Sequence, residues 1–429
     1  MTIEEIYRYY KKSAQVVTDS RKIVEGSLFF ALKGENFNGN EYAAEALEKG
    51  ASYAIIDEKK YLKNERTILV ENVLETLQQL ATFHRKRLGI PILAITGSNG
   101  KTTTKELIAA VLSTKYNISF TQGNLNNHIG VPLTLLRMNE KTEIGIVEMG
   151  ANHPGEIRIL SEIADPDYGI ITNIGRAHLE GFGSFEAIKK TKSELFVYLK
   201  KKNGTVFYNR ENSILSEITA PISAKISFGK SGADLNGAPV QSPPFIHIKV
   251  HFPKGILFLN SKLTGNYNFE NIMAAACIGH YFKVDPLNIQ KAVKNYQPQN
   301  NRSQLIEKNG LKIIMDAYNA NPTSMLASIQ SFNASFPNPR FLILGDMLEL
   351  GDEALFEHAE ILAEIKKHSF SEVFLVGPVF TDSAKNLSFN TFTNSEELCQ
   401  RLSLNPVKEG AILIKGSRGI QLEKVLQYL

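Results

Sequence analysis

The chain has no tryptophan and only two cysteines, Cys277 and Cys399. They stand far apart and in no metal-ligand spacing, which excludes a disulfide-stapled scaffold and a cysteine-built metal site and fits a reducing compartment. No run of about eighteen apolar residues occurs, so no membrane-spanning helix is expected. The N-terminus, Met1-Thr2-Ile3-Glu4-Glu5-Ile6, carries acids where a secretory leader carries bases and an apolar run. A cytoplasmic location is the expectation. Charge of one sign is lacking too, since 48 basic and 44 acidic residues leave a net charge of +4. So small a bias gives no reason to expect nucleic acid or a membrane surface as partner, and it is compatible with an anionic small molecule. Internal repeats and low-complexity tracts are missing as well.

What is present has the bulk of a globular protein, 43% apolar and 21% charged. A length of 429 residues exceeds a single hydrophobic core and suggests about three domains. Residues 1–85 read as a small α/β unit: a strand at Gly26 to Leu32, a helix at Tyr42 to Lys49, and a second strand at Tyr53 to Ile56. Residues 86–297 alternate strands and helices, the pattern of a parallel sheet covered on both faces. Within them Ile246 to Phe252 alternates apolar and polar, and Pro253-Lys254-Gly255 turns the chain, as in an antiparallel hairpin. His247 and His251 then fall on its wet face without a chemical role. Gln241 to Pro244 reads as loop. The polar stretch Asn295 to Asn301 is the expected linker. Residues 298–429 space short apolar strands, such as Leu311 to Met315 and Ile412 to Ile414, with helices in the manner of a dinucleotide-fold domain.

The most pointed motif is Thr96-Gly97-Ser98-Asn99-Gly100-Lys101-Thr102-Thr103. The buried-strand run Ile92 to Ile95 precedes it, and a helix with Leu107, Ile108, Val111 and Leu112 on one face follows. Backbone N–H groups and a helix N-terminus then point at an anion, Lys101 neutralises charge, and a Thr hydroxyl can sit on magnesium. The first glycine of the full-length form of this loop is replaced by Ile95, so the loop is a shortened form. Further strands end in Glu148 and, through Thr172-Asn173-Ile174-Gly175, in His178. Ligands of open α/β sheets gather at such carboxyl ends, which makes both residues magnesium and phosphate candidates beside the alternative of solvated or backbone-satisfied side chains. Asp19-Ser20-Arg21 offers an arginine for phosphate, or simply a capped turn.

Read together, these motifs resemble the Mur ligases, the ATP-dependent amide-forming enzymes of peptidoglycan precursor synthesis, over essentially the whole chain. The shared pieces are the phosphate loop, Glu148-Met149-Gly150-Ala151, Thr172 to Gly175 with His178, and Asn268 with Asn271. Four others narrow the choice: Asn124-Leu125-Asn126-Asn127 with Ile129 to Pro132, Tyr318-Asn319-Ala320-Asn321-Pro322, Gly345-Asp346-Met347 with Glu349-Leu350-Gly351, and Lys415-Gly416-Ser417-Arg418. They resemble those of the branch that joins D-alanyl-D-alanine to UDP-N-acetylmuramoyl-tripeptide. The resemblance implies three α/β domains: an N-terminal UDP-substrate domain, a central ATP-binding domain and a C-terminal ligase domain. It implies that Thr96 to Thr103 hold ATP, that Lys101, His178 and Lys192 are catalytic, and that Asn268, Asn271, Arg302 and Asp316 also reach the nucleotide. Thr102, Glu148, His178 and Lys192 would serve two magnesium ions, Lys192 as a carbamate, because a carbamate gives a hard cation the oxygen ligands that an ammonium cannot. Asp19, Ser20 and Arg21 would meet the uridine diphosphate. Asn126, Asn127, Asn319, Asn321, Lys415 and Arg418 would meet the remaining substrate. A monomer is expected. The sequence departs from the family where Phe37-Asn38-Gly39-Asn40 replaces a common Phe-Asp-Gly-His, at Ala317 for Ser, and at Gly419. Sibling ligases that add one amino acid, folylpolyglutamate synthetase and a non-catalytic nucleotide-binding scaffold are the alternatives.

Overall fold

A computed structural model describes residues 1–298 and 301–429. Of the expected linker Asn295 to Asn301, Gln299 and Asn300 lie outside the described residues. Three mainly parallel sheets follow one another along the chain. The first orders Val16–Val17, Leu28–Phe30, Tyr53–Ile56 and Thr67–Leu69, all parallel. The helix Val73–Leu88 ties it to the next sheet: Leu77 and Leu80 share one apolar cluster with Leu28 of the first sheet and Ala94 and Val147 of the second. The boundary expected at 85/86 therefore falls inside a helix that both sheets use.

The central sheet has nine strands. Ile92–Thr96 lies between Tyr168–Ile171 and Ile144–Glu148, parallel to both, with Ile95 opposite Glu148 and Thr96 opposite Ile171. All five residues of Ile92–Thr96 are buried, as continuous apolar strands covered on both faces should be. The helix Lys101–Leu112 covers one face, placing Leu107, Ile108, Val111 and Leu112 in a cluster with Phe207 and Ile272. The helix Phe185–Lys202 covers the other through Leu195, Phe196 and Leu199. Each such side chain contributes about 1.5–3 kcal/mol by leaving water, so the strand ends are held on a stiff base.

The hairpin at Phe245–Phe252 and Gly255–Thr264 is present, and Leu235–Ser242 adds a third antiparallel strand beside it. Gln241 and Ser242, expected as loop, end that strand. Gly237 and Pro239 hid it by breaking the apolar alternation. Pro239 lies where one edge of its strand is free, because the neighbouring strand Lys225–Gly229 pairs only with Leu235 and Asn236. His251 is exposed and His247 is half-buried rather than on a fully wet face. The third sheet has six strands, one antiparallel, and sets Leu311–Asp316 beside Gly410–Lys415 with Asp316 opposite Lys415. Apolar clusters cover both its faces.

Candidate active site

The phosphate loop leaves an interior strand of the central sheet, third from one edge, and is fastened on both sides. Ser98 N donates to Asn173 O (2.9 Å), Asn99 N to Asn173 Oδ1 (2.9 Å), and Ser98 Oγ exchanges hydrogen bonds with the Gly175 backbone at 2.9 and 3.0 Å. Gly100 is left-handed (φ +78°), and a Cβ there would stand 2.6 Å from Asn271 Oδ1. Asn271 in turn accepts from Thr104 Oγ1 (2.9 Å) and donates to Asn268 Oδ1 (2.7 Å), and Asn268 donates to Thr264 O (2.7 Å). This chain of amides fixes the entry into the helix Lys101–Leu112. Lys101 Nζ folds back onto Gly97 O (2.7 Å) and Ser98 O (3.1 Å). Burial pulls its pKa from 10.5 to about 8; Glu148 opposes that shift and Arg302 adds to it. Asn99 Nδ2 is a buried donor with no acceptor among the described residues. An unsatisfied donor at the mouth of such a loop is what an incoming anion would complete.

Glu148 stands beside the loop because its strand is the loop strand's neighbour. It is 2% exposed. Its Oε1 accepts from Asn126 Nδ2 (2.9 Å) and Thr102 Oγ1 (3.2 Å). Its Oε2 has no hydrogen-bond donor among the described residues and lies 3.4 Å from Lys105 Nζ. Lys105 is fully sequestered and lies one helical turn after Lys101. That spacing could have drawn attention to it in the sequence. Lys192 is 1% exposed and its Nζ donates to Ala151 O at 3.2 Å. No carboxylate forms an ion pair with it among the described residues. Burial, and then the charge of Lys101, hold its pKa well below the usual lysine range. A buried carboxylate with one oxygen left without a donor, beside a hydroxyl, suits a hard divalent cation, so Glu148 and Thr102 fit the magnesium expected from the sequence.

The opposite wall comes from the third sheet. The Arg302 guanidinium stacks on the Tyr318 ring at 3.6 Å. Asp316 accepts from Ser303 N (3.1 Å) and pairs with Lys415 Nζ at 2.5 Å, as their register dictates. Asn321 caps the helix Pro322–Ser335 through Ser324 N (2.9 Å) and reaches across to donate to Asn99 Oδ1 (2.7 Å). Asn319 Oδ1 accepts from Ala320 N (2.9 Å), and Asn127 Oδ1 from Gly130 N (2.9 Å). Between the walls lies a cavity of about 1050 Å³. Its lining includes Ser98 to Thr103, Asn126, Asn127, Glu148, His178, Asn268 and Asn271 from the central unit. Arg302, Asp316, Asn319, Asn321 and Lys415 line the far side.

Some expected residues stand elsewhere. Thr96 and Gly97 lie behind the loop, with Thr96 Oγ1 donating to Met149 O (2.9 Å). Lys192 sits behind Ala151, which does line the cavity. Arg418 faces the Tyr318 ring at 5.6 Å and stays outside the lining. Asp19, Ser20 and Arg21 form a capped 3-10 turn in which Arg21 Nε donates to Asp19 Oδ1 (2.9 Å), away from the cavity. Asn40 in the departing first-domain motif is buried and satisfied by Asp57, at 2.9 and 3.0 Å. The cavity is also lined by Asn173, Tyr267 and Glu349, to which spacing in the sequence gives no role, while Lys105 is buried outside its lining.

Comparison with known proteins agrees with this arrangement. The family descriptions "Mur ligase family, catalytic domain", "Mur ligase middle domain" and "Mur ligase, glutamate ligase domain" match residues 13–91, 95–279 and 301–418. The UDP-N-acetylmuramoyl-tripeptide--D-alanyl-D-alanine ligase of Bacillus subtilis (strain 168) is 37% identical over 425 residues, 96% of this chain and 92% of its own length. A crystal structure of MurF from Acinetobacter baumannii superposes with a TM-score of 0.89 at 28% identity, covering 99% of this chain and 98% of that one. The MurF ligase of Thermotoga maritima in complex with ADP does so with a TM-score of 0.86, also at 28% identity, covering 98% and 97%. With relatives this similar along nearly its full length, the chain belongs to the Mur ligase family.

Proposed function

We propose that this chain is an ATP-dependent carboxylate–amine ligase that joins D-alanyl-D-alanine to UDP-N-acetylmuramoyl-tripeptide in peptidoglycan precursor synthesis. The observation that carries this reading is the two-walled cavity. The phosphate loop forms one side, the Tyr318 to Asn321 and Lys415 motifs form the other, and Asn99 and Asn321 touch across it at 2.7 Å. A carboxylate is a poor electrophile because its leaving group would be oxide. Attack of a carboxylate oxygen on the γ-phosphorus of ATP releases ADP and gives an acyl phosphate. The dipeptide amine then attacks the acyl carbon and expels phosphate, leaving an amide.

The chain's part is positioning and charge neutralisation. Lys101 and the loop amides would hold the triphosphate, Asn268 and Asn271 the adenine end, and Arg302 and Asp316 the nucleotide from the far side. Thr102, Glu148, His178 and Lys192 would hold two magnesium ions, which supply charge neutralisation on the phosphates when bound. Lys192 would serve as its carbamate: its neutral amine, favoured by burial, adds to carbon dioxide and releases a proton. Asn126, Asn127, Asn319, Asn321, Lys415 and Arg418 are assigned to the peptide substrates, and Asp19, Ser20 and Arg21 to the uridine diphosphate. No helix is long and apolar enough to cross a membrane among the described residues. A cytoplasmic monomer is the form we assign. The test is a coupled ADP-release assay with UDP-N-acetylmuramoyl-tripeptide. D-alanyl-D-alanine should drive release, and D-Glu, L-Lys, diaminopimelate or L-Glu should not. Release driven by a single amino acid would make it a sibling ligase or a folylpolyglutamate synthetase. Tight ATP binding without any such release would make it a scaffold.

A further inference from the structure

The segment Gly345 to Gly351 marks the family branch but has no role in the reading above. In the structure it crosses from the third unit to the central one. Glu180 N donates to Glu349 O at 3.2 Å, and the Glu349 carboxylate is in ion-pair contact with His178 Nδ1. That nitrogen is buried and has no well-aligned hydrogen bond among the described residues. Both residues are left-handed without being glycine, His178 at φ +55° and Glu349 at φ +65°. Such backbone persists only where its surroundings over-determine it. The surroundings here do so. Met347 N donates to His358 Nε2 (3.1 Å), Leu348 N donates to Ser417 Oγ (2.9 Å), and buried Asp346 accepts from Val379 N and Phe380 N (2.9 and 2.8 Å). The carboxylate is thus aimed from a rigid loop of one unit at the imidazole of another.

We propose that Glu349 is a positioning residue: when the third unit docks, its carboxylate takes Nδ1 of His178 and leaves Nε2 as the nitrogen available to the cation and phosphates. A histidine that serves a metal commonly has its other nitrogen held by a carboxylate, which fixes the ring and the tautomer. Here that carboxylate comes from a different unit, so closure of the cavity and completion of the cation site become one event. The inference rests on the ligase reading for the part His178 plays.

The bland alternative is a mere tether, and a neighbouring tether supplies the control. Arg176 Nη1 donates to Glu357 at 2.9 Å across the same junction without touching His178. Glu349→Gln and Glu357→Gln are made in the full-length chain, and Mn2+ binding in the presence of ADP is followed by electron paramagnetic resonance. Both variants are assayed for kcat and KM as well. Glu349→Gln should weaken the cation by about 10–100-fold and lower kcat by a similar factor, with KM for the dipeptide little changed. Glu357→Gln should leave cation affinity as it was. His178→Ala combined with Glu349→Gln should bind Mn2+ no more weakly than His178→Ala alone. Unchanged Mn2+ affinity in Glu349→Gln, or equal losses in the two glutamine variants, would overturn the proposal. The cation titration needs no ligase turnover. A wild-type chain without dipeptide-driven ADP release would instead count against the ligase reading.

Discussion

Replacing Gly100 by alanine tests whether the loop is built as described. Two costs can be worked out. A left-handed non-glycine residue costs about 1–2 kcal/mol. The new Cβ would also stand 2.6 Å from Asn271 Oδ1, closer than such atoms can approach, so the amide must move. Moving it breaks the hydrogen bond from Thr104 Oγ1 at 2.9 Å or strains the one to Asn268 Oδ1 at 2.7 Å, at about 1 kcal/mol each. The sum is about 2–4 kcal/mol. Gly89 isolates the first part: it is left-handed at φ +63°, and a Cβ there meets no atom within 4 Å. Gly89→Ala should therefore cost about 1–2 kcal/mol and leave ATP binding alone. Gly100→Ala should cost more in denaturant unfolding and weaken ATP at least about 30-fold by calorimetric titration, about 2 kcal/mol. Adding Asn271→Ala removes the obstructing amide, so the double variant should lose less than the sum of the single losses. If Gly100→Ala behaves like Gly89→Ala, the amide lock on the loop is wrong.

Three other outcomes are expected. Lys101→Ala should abolish turnover while the chain stays folded, and near-normal activity would remove the phosphate-loop assignment. Lys192→Ala should cripple turnover, with partial rescue by added short-chain carboxylic acids; no loss would show that the carbamate belongs on another lysine. His84, on the helix Val73–Leu88, contacts Met138 O (2.9 Å) and the hydroxyls of Tyr7 and Tyr10 (3.1 and 3.2 Å) on the N-terminal helix Ile3–Lys12. Burial holds its pKa below the ordinary 6.5. The unfolded chain then binds more protons over that window, so this contribution is present above about pH 6.5 and is lost as pH falls through the folded value. Urea unfolding of His84→Phe against pH should show a shallower acid loss than the wild type.

Strand ends and the loop were legible because they depend on local chemistry. Four apolar residues, a glycine turn and a helix with lysine and threonine leave little choice of structure from Ile92 to Leu112. Glu148 and His178 could be nominated from their place after apolar strands. What escaped depends on contacts far apart in the chain. Lys105 reads as a solvated helix residue until the neighbouring strand brings Glu148 to 3.4 Å. Glu349 stands in the motif Gly345 to Gly351, yet only the meeting of two units gives it His178 to contact. The strand Leu235–Ser242 was missed because Gly237 and Pro239 broke its pattern, while the pairing that tolerates them is non-local. Asp19 to Arg21 shows the converse: a tripeptide suggestive in sequence spends its arginine on its own aspartate.

The central claim is that this cavity makes an acyl phosphate from the acceptor's carboxylate. The direct measurement is the fate of that carboxylate's oxygen. UDP-N-acetylmuramoyl-tripeptide labelled with heavy oxygen in the reacting carboxyl group is turned over with ATP and D-alanyl-D-alanine, and the released phosphate is analysed by mass spectrometry. One labelled oxygen per phosphate is the expected result, since the oxygen that attacks phosphorus leaves with it when the amine displaces phosphate. Unlabelled phosphate, with its new oxygen drawn from water, would contradict the claim.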